Sequence, residues 1–427
     1  GGQYTRLWGP AYTSNANNNI MIMIQIENPQ GVGAIDTSAA SVSFNNTTSG
    51  DVVLRDVGAV TYSGSNTGGN VSLLLESGIL TVGAAGIATA GGTVTLEVLE
   101  LGGLNDGTIA TVAGADIDTT NGGLVAAGAA VTLIADNIDL DAGSAIDSGT
   151  ATTAIRQQDD GRIITLGTDV IGEFSLTSAE LDTITAGSLV IGSAAAGAIS
   201  VAGSIAPAGT TSLSLISGST IANVGAASIT ETTLNTTSVG GTSLDINATT
   251  LSFANTGGGL VDIVDSNTLA VSGSNDGDVT IETTAGNLAV GAITATGNAV
   301  TLTATAAQIT DSNAAATNVT AASLVTTSVG GTSLDLAIDS VNFTNTGGGL
   351  VDFVDGNTLA VGGSMPPTGR GRRRPSSRSR STCSTAADSA TSSAAFCPAD
   401  IFEVSMSVTG ICGSVSGFMV VLELNLK

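Results

Sequence analysis

Apolar and polar residues alternate along this chain in short runs. Leu213 and Leu215 are flanked by Ser212 and Ser214, and Val279 and Ile281 by Asp278 and Thr280. A period of two puts successive side chains on opposite faces of a strand, so the pattern predicts short β-strands and no long helix. The runs are punctuated by Gly, Asn, Asp and Ser, as in Asn255-Thr256-Gly257-Gly258-Gly259 and Asn275-Asp276-Gly277-Asp278, residue types that accept left-handed turn geometry. A cassette of glycine followed by Val-Thr-Leu or a near variant recurs. Its valines, Val52, Val71, Val94, Val131, Val279 and Val300, are separated by 19, 23, 37, 148 and 21 residues. Most of these spacings are near one or two units of about 20, the range of solenoid repeats.

A longer repeat is more specific. Residues Thr236 to Ser274 match Thr326 to Ser364 at 28 of 39 positions, offset by 90. If both copies occupy equivalent places, 90 residues close a whole number of coils, roughly four of 22 or five of 18. Short strands, units of about 20 residues and a thin aliphatic interior predict an all-β fold, a right-handed parallel β-helix (β-solenoid). An antiparallel sandwich array would instead show periods of about 100 residues and a buried Trp, whereas the single tryptophan is Trp8. At about 4.8 Å per coil, residues 1–364 predict about 18 coils and a rod on the order of 85 Å.

Composition narrows the function classes. Of 427 residues 57 are Gly, apolar residues make up 42% and aromatics 3%, and the mean hydropathy is +0.37. That is too apolar for a disordered acidic tail. The chain has no His, which removes most general-base mechanisms, histidine-dependent nucleophiles and most zinc or haem sites. A non-enzymatic protein is the expectation. A net charge of −25 argues against nucleic-acid binding, which needs the opposite sign along a face. No apolar run reaches the roughly 18 residues that span a bilayer, the longest being Ile20–Ile26 and Phe418–Leu424, so no transmembrane segment is expected.

The charge is divided unevenly. Residues 1–364 carry four basic side chains and 32 acidic ones, with neither lysine nor cysteine. From Met365 onward there are six arginines and Lys427 against four acids, and all three cysteines, Cys383, Cys397 and Cys412. Three segments follow: the repeat region 1–364, an Arg/Ser/Pro-rich stretch 365–400 expected to be disordered, and a short apolar strand segment 401–427. The tail reads in two ways. Arg370 to Arg380 form a basic patch for an acidic surface, with one disulfide among the cysteines; or a reading-frame slip has replaced the continuing repeat, which is the favoured expectation because the second 90-residue copy breaks off after Ser364. The chain opens Gly1-Gly2 without a basic and apolar leader, which suggests a fragment or processed product. A cysteine-free body suits export.

Residues Leu176 to Gly192, together with Ile138 to Ile146, resemble the repeat text of filamentous-haemagglutinin-like exoproteins, large β-helical proteins of bacterial two-partner secretion and autotransporter systems. Asn28-Pro29-Gln30-Gly31 is similar to a turn in their secretion domain, although an ordinary turn after Ile20–Ile26 accounts for it as well. The resemblance implies an extracellular or cell-surface bacterial protein acting in adhesion, aggregation or biofilm formation, with a receptor, a glycan or sibling molecules as partners.

Three candidate sites remain. Arg156 to Arg162 places Asp159, Asp160 and Arg162 in one loop, and paired carboxylates of this kind serve polysaccharide-cleaving β-helices; the alternative function is therefore a hydrolase or lyase using Asp159 and Asp160 with Arg162. The ordinary expectation is a solvated turn, because neighbours on a strand point to opposite faces. Asp136, Asp139 and Asp141 form one weak calcium candidate and Asn275, Asp276 and Asp278 another. Hard cations want about six to eight oxygens, and solvated turns are the expected reading of both, so no cofactor is expected beyond weak calcium. Thr pairs such as Thr93/Thr95, Thr294/Thr296 and Thr301/Thr303 resemble the flat faces of ice-binding solenoids, but the wandering period favours ordinary strand threonine.

Overall fold

Period-two alternation can bury one side of every strand only if strands stack so that their inward residues meet, and parallel coils do this. The computed structural model describes residues 34–99, 107–170, 172–356 and 358–366, with the short strands Val404–Met406 and Leu422–Leu424. The solenoid strands pair in parallel, in an all-β solenoid of about 15 turns at ~21 residues per turn. The expected count of 18 runs over residues 1–364, of which 1–33 lie outside the described residues, and two turns carry insertions. Among the described residues no helix is long and apolar enough to cross a membrane. Ile20–Ile26, the Asn28 turn, the cysteines and nearly all of the segment 365–400 lie outside the described residues.

The chain divides into two compact units, Gly1–Ser238 and Val239–Lys427. In the first, the recurring cassette is the coil register: Val52 pairs with Val71, Val71 with Val94 and Val94 with Val131. Each is at most 2% exposed, and burying such a side chain contributes about 1.5–3 kcal/mol. A second parallel sheet carries the other half of these turns, Ser41–Asn46 on Val60–Asn66 on Ile79–Thr89. Two steps are long. Val94 to Val131 and Thr153 to Leu189 span 37 and 36 residues, each holding extra strands inside one turn.

The second unit corrects the expectation about the 90-residue repeat. Thr242 stacks on Val261, Val261 on Val279, Val279 on Val300, and Val300 on Leu324. Thr332, the repeat equivalent of Thr242, belongs to the other ladder, which runs Leu269, Leu288, Ile309, Thr332, Val351. The copies are thus about four and a half turns apart and occupy opposite faces. A whole number is not required, because each turn consists of two similar half-turns of about 10 residues, and either face accepts the same inward pattern.

Three of the phenylalanines share one stacking arrangement. Phe44 pairs with Gly64, Phe253 with Gly273, and Phe343 with Gly363. A Cβ on Gly64 would lie 2.3 Å from the Phe44 carbonyl oxygen and 2.6 Å from its ring, and Gly273 meets Phe253 in the same way. At these three positions glycine leaves room for the ring on the neighbouring turn, whereas Tyr62 stacks on Val42 and Val82.

Candidate functional site

Two kinds of polar constellation stand out, one repeated and one unique. The repeated one lies at the strand ends. Asp56 Oδ2 accepts from the Ala39 N–H and Oδ1 from the Gly58 N–H. Asp265 does the same with Ala248 and Asn267, at 2.8 and 2.7 Å, and Asp355 Oδ2 accepts from Ile338 N–H. Each carboxylate reaches back 17 residues to the preceding turn. Asparagines alternate with them: Asn46 Nδ2 donates to Asn66 Oδ1, and Asn255 Nδ2 to Asn275 Oδ1, while the same amides donate to Gly50 O and Gly259 O. These groups are almost fully buried and satisfy backbone groups that a turn would otherwise orphan. Burial raises the pKa of Asp265, against the two backbone N–H donors that lower it.

Sequence reading missed this device, though a signal for it exists. Residues 41–66 align without a gap on 250–275, offset 209, with identity at 11 of 26 positions. Phe44/Phe253, Asn46/Asn255, Gly50/Gly259, Asp56/Asp265, Gly64/Gly273 and Asn66/Asn275 all correspond. What recurs is the set of residues that make coil-to-coil contacts, while the aliphatic positions drift.

The unique constellation belongs to the irregular turn between Thr153 and Leu189. Strand Ile164–Gly167 pairs in parallel with Phe174–Thr177, only ten residues on, so one face carries an extra layer. A single helical turn, Ser178–Leu181, follows; Thr177 caps it, and Glu180 three residues later completes a capping box. Glu180 Oε1 also accepts from the Leu140 N–H of another turn. At the start of this irregular turn stands the loop Arg156–Arg162. Asp159 and Asp160 are exposed. Arg162 is committed inward: its side chain is 11% exposed, with Nε 4.0 Å from Oδ1 of the fully buried Asp136 and Nη2 donating to Gly172 O at 3.4 Å. The Asp159 N–H donates to the same Asp136 oxygen at 3.1 Å. Arg162 therefore pairs with Asp136, a residue of the first calcium candidate.

Buried atoms lacking hydrogen-bond partners gather at this corner: Asp136 Oδ2, Asn137 Oδ1, Gln157 Oε1 and Arg162 Nε. An unmet buried polar group costs about 1–3 kcal/mol, and the repeated coils elsewhere avoid most of that cost. Chemically, the corner is a neutralised carboxylate–guanidinium pair that anchors the exposed Asp159-Asp160 turn from beneath.

The residues of each calcium candidate divide between interior and surface. Asp136 is buried while Asp139 and Asp141 are exposed, and Asp141 Oδ1 accepts the Gly143 N–H of its own turn. Asn275 donates to Gly259 O and Asp278 O and accepts from Asn255. Asp276 and Asp278 face outward, with Asp278 Oδ1 taken by the Ala299 N–H. Among the described residues no three His, Cys, Asp or Glu side chains form a metal-holding group. Desolvation and the nearby Asp311 and Asp352 carboxylates raise the pKa of Asp335. Burial also acts on Asp118, but the Thr120 hydroxyl and the backbone N–H groups around Gly122 outweigh it and lower the pKa.

Comparison with protein-family models, with curated proteins and with solved structures returns no match.

Proposed function

We propose that this chain is part of a secreted or surface-exposed bacterial exoprotein of the filamentous-haemagglutinin-like kind, working without catalysis as a rigid acidic rod in adhesion or in the cell-surface matrix. One observation carries the reading. In the regular coils the buried Asp and Asn side chains hold neighbouring turns together, so the polar chemistry of those coils is spent on maintaining a stack. A lysine-free body with 32 acids keeps such molecules soluble and apart. Receptors, glycans and sibling molecules are the partners this reading implies.

The test is binding of the purified protein to host cells, to sibling cells and to a glycan array. Saturable binding to one of them is expected, and uniform failure on all three sinks the adhesion reading. The exposed Asp159-Asp160 turn keeps the alternative of a polysaccharide hydrolase or lyase in view. Turnover of any acidic or neutral polysaccharide that is lost in Asp159→Asn or Asp160→Asn overturns the non-enzymatic reading.

A further inference from the structure

The last solenoid strand of the second unit, Ala360–Ser364, is exposed along its whole length, with Val361 at 52%. Its counterpart 90 residues earlier, within Leu269–Asn275, is covered by the next strand: Leu269 pairs with Leu288, Val271 with Val290 and Gly273 with Ile293. In the first unit Gly64, the motif equivalent of Gly363, is likewise covered by Ile87. The consequence shows in the phenylalanines. Phe44 and Phe253 are 6% and 2% exposed, whereas Phe343, beneath Gly363, is only half-buried and rests against Phe353, with ring centroids 5.9 Å apart. The molecule thus shows twice what covers this surface, and once the surface uncovered among its described residues.

The residues next in sequence are chemically unsuited to that place. The 90-residue offset brings Arg373, Arg378 and Arg380 to the inward positions of Thr283, Leu288 and Val290. An unpaired guanidinium in a dry aliphatic core is strongly unfavourable.

We infer that the edge Ala360–Ser364, with the neighbouring strand Val351–Asp355, is a docking surface for a parallel β-coil supplied by another chain, carrying aliphatic residues where this chain has Leu288, Val290 and Ile293. Backbone N–H and C=O groups of Ala360–Ser364 that pair with no further strand among the described residues provide the affinity, and the apolar end layer formed by Val361, Phe343 and Phe353 selects the partner. The inference does not depend on whether the protein is an adhesin.

The probe is a synthetic peptide of this chain's own residues 276–297, the turn that covers the equivalent surface. Amide exchange is followed by mass spectrometry on the full chain, at a dilution where sedimentation shows a monomer. The peptide is expected to slow exchange in residues 360–364 by about tenfold or more. A peptide with Val290→Asp is expected to have no effect, and a full chain with Val361→Asp, a substitution at an exposed site, to respond to neither. Unchanged exchange at saturating peptide overturns the inference. So does strong protection of the dilute monomer before peptide is added, because the end is then covered by the chain itself.

Discussion

The repeated coils of the second unit and the irregular turn of the first solve one problem differently. Both must take polar groups into a narrow aliphatic stack. In the coils around Asp265 and Asn275 the buried carboxylate and amide answer backbone groups of the preceding turn, 17 residues back for Asp265 and 16 for Asn275 to Gly259. Between Thr153 and Leu189 an extra strand layer breaks that spacing, and the corner of Asp136, Gln157 and Arg162 keeps polar atoms without partners. Periodic stacking satisfies polar groups cheaply because one solution serves every turn. A break in the period has to be met by a single-use arrangement, and here that is a buried ion pair.

The largest expected effect tests the single-use side. Replacing Asp136 by Leu leaves Arg162 buried and unpaired, which should cost about 3–5 kcal/mol in chemical denaturation. The double variant Asp136→Leu/Arg162→Leu should recover most of that loss; strict additivity would show that the pair does not couple. On the periodic side, Gly64→Ala drives a Cβ against the Phe44 backbone, and a loss of about 3 kcal/mol is expected. Gly58→Ala in the same segment meets nothing within 4 Å, so a change of about 0.5 kcal/mol or less should follow. Equal losses at the two glycines would mean that the phenylalanine–glycine stack is not the constraint.

Alkali probes the core of the first unit alone. Burial pushes the Tyr62 phenol up to about 12, helped by the Asp56 carboxylate and opposed by the Thr37 hydroxyl. In the unfolded chain the phenol titrates near 10, so the unfolded state gives up its proton first as pH rises. The stabilisation is therefore complete below about pH 10 and is lost as pH passes through about 12, by at most roughly 3 kcal/mol. Tyr62→Phe should flatten this part of the stability profile, and a slope identical to wild type would place its source elsewhere. The smallest effect belongs to the exposed loop: Asp160→Asn should shift stability by no more than about 0.5 kcal/mol, since the anchoring contacts come from the Asp159 backbone and Arg162.

Much of the fold was readable from spacing. The valine cassette is the ladder of the first unit, residue for residue, because a solenoid writes its register directly into the distances between inward side chains. The candidate sites were less readable. Asp159 and Asp160 lie together on an exposed turn, but Arg162 turned out to belong with Asp136, 26 residues away, a pairing that local spacing cannot show. Nor does spacing show that in the first calcium candidate Asp136 sits inside the corner while Asp139 and Asp141 face out. The Asp and Asn ladder carries the 209-residue repeat, yet it was passed over because buried carboxylates look like turn residues until the turn beneath them is seen.

The sequence by itself determined the strand period, a repeat unit of about twenty residues and the separation of an acidic body from a basic tail. These are local or periodic properties, set by side-chain alternation and backbone sterics. Only the tertiary structure decided that 90 residues make four and a half turns, that an inserted layer draws Arg162 to Asp136, and that Val361 ends the stack exposed. Each of these depends on which turn lies above which, a sum over every insertion along the chain.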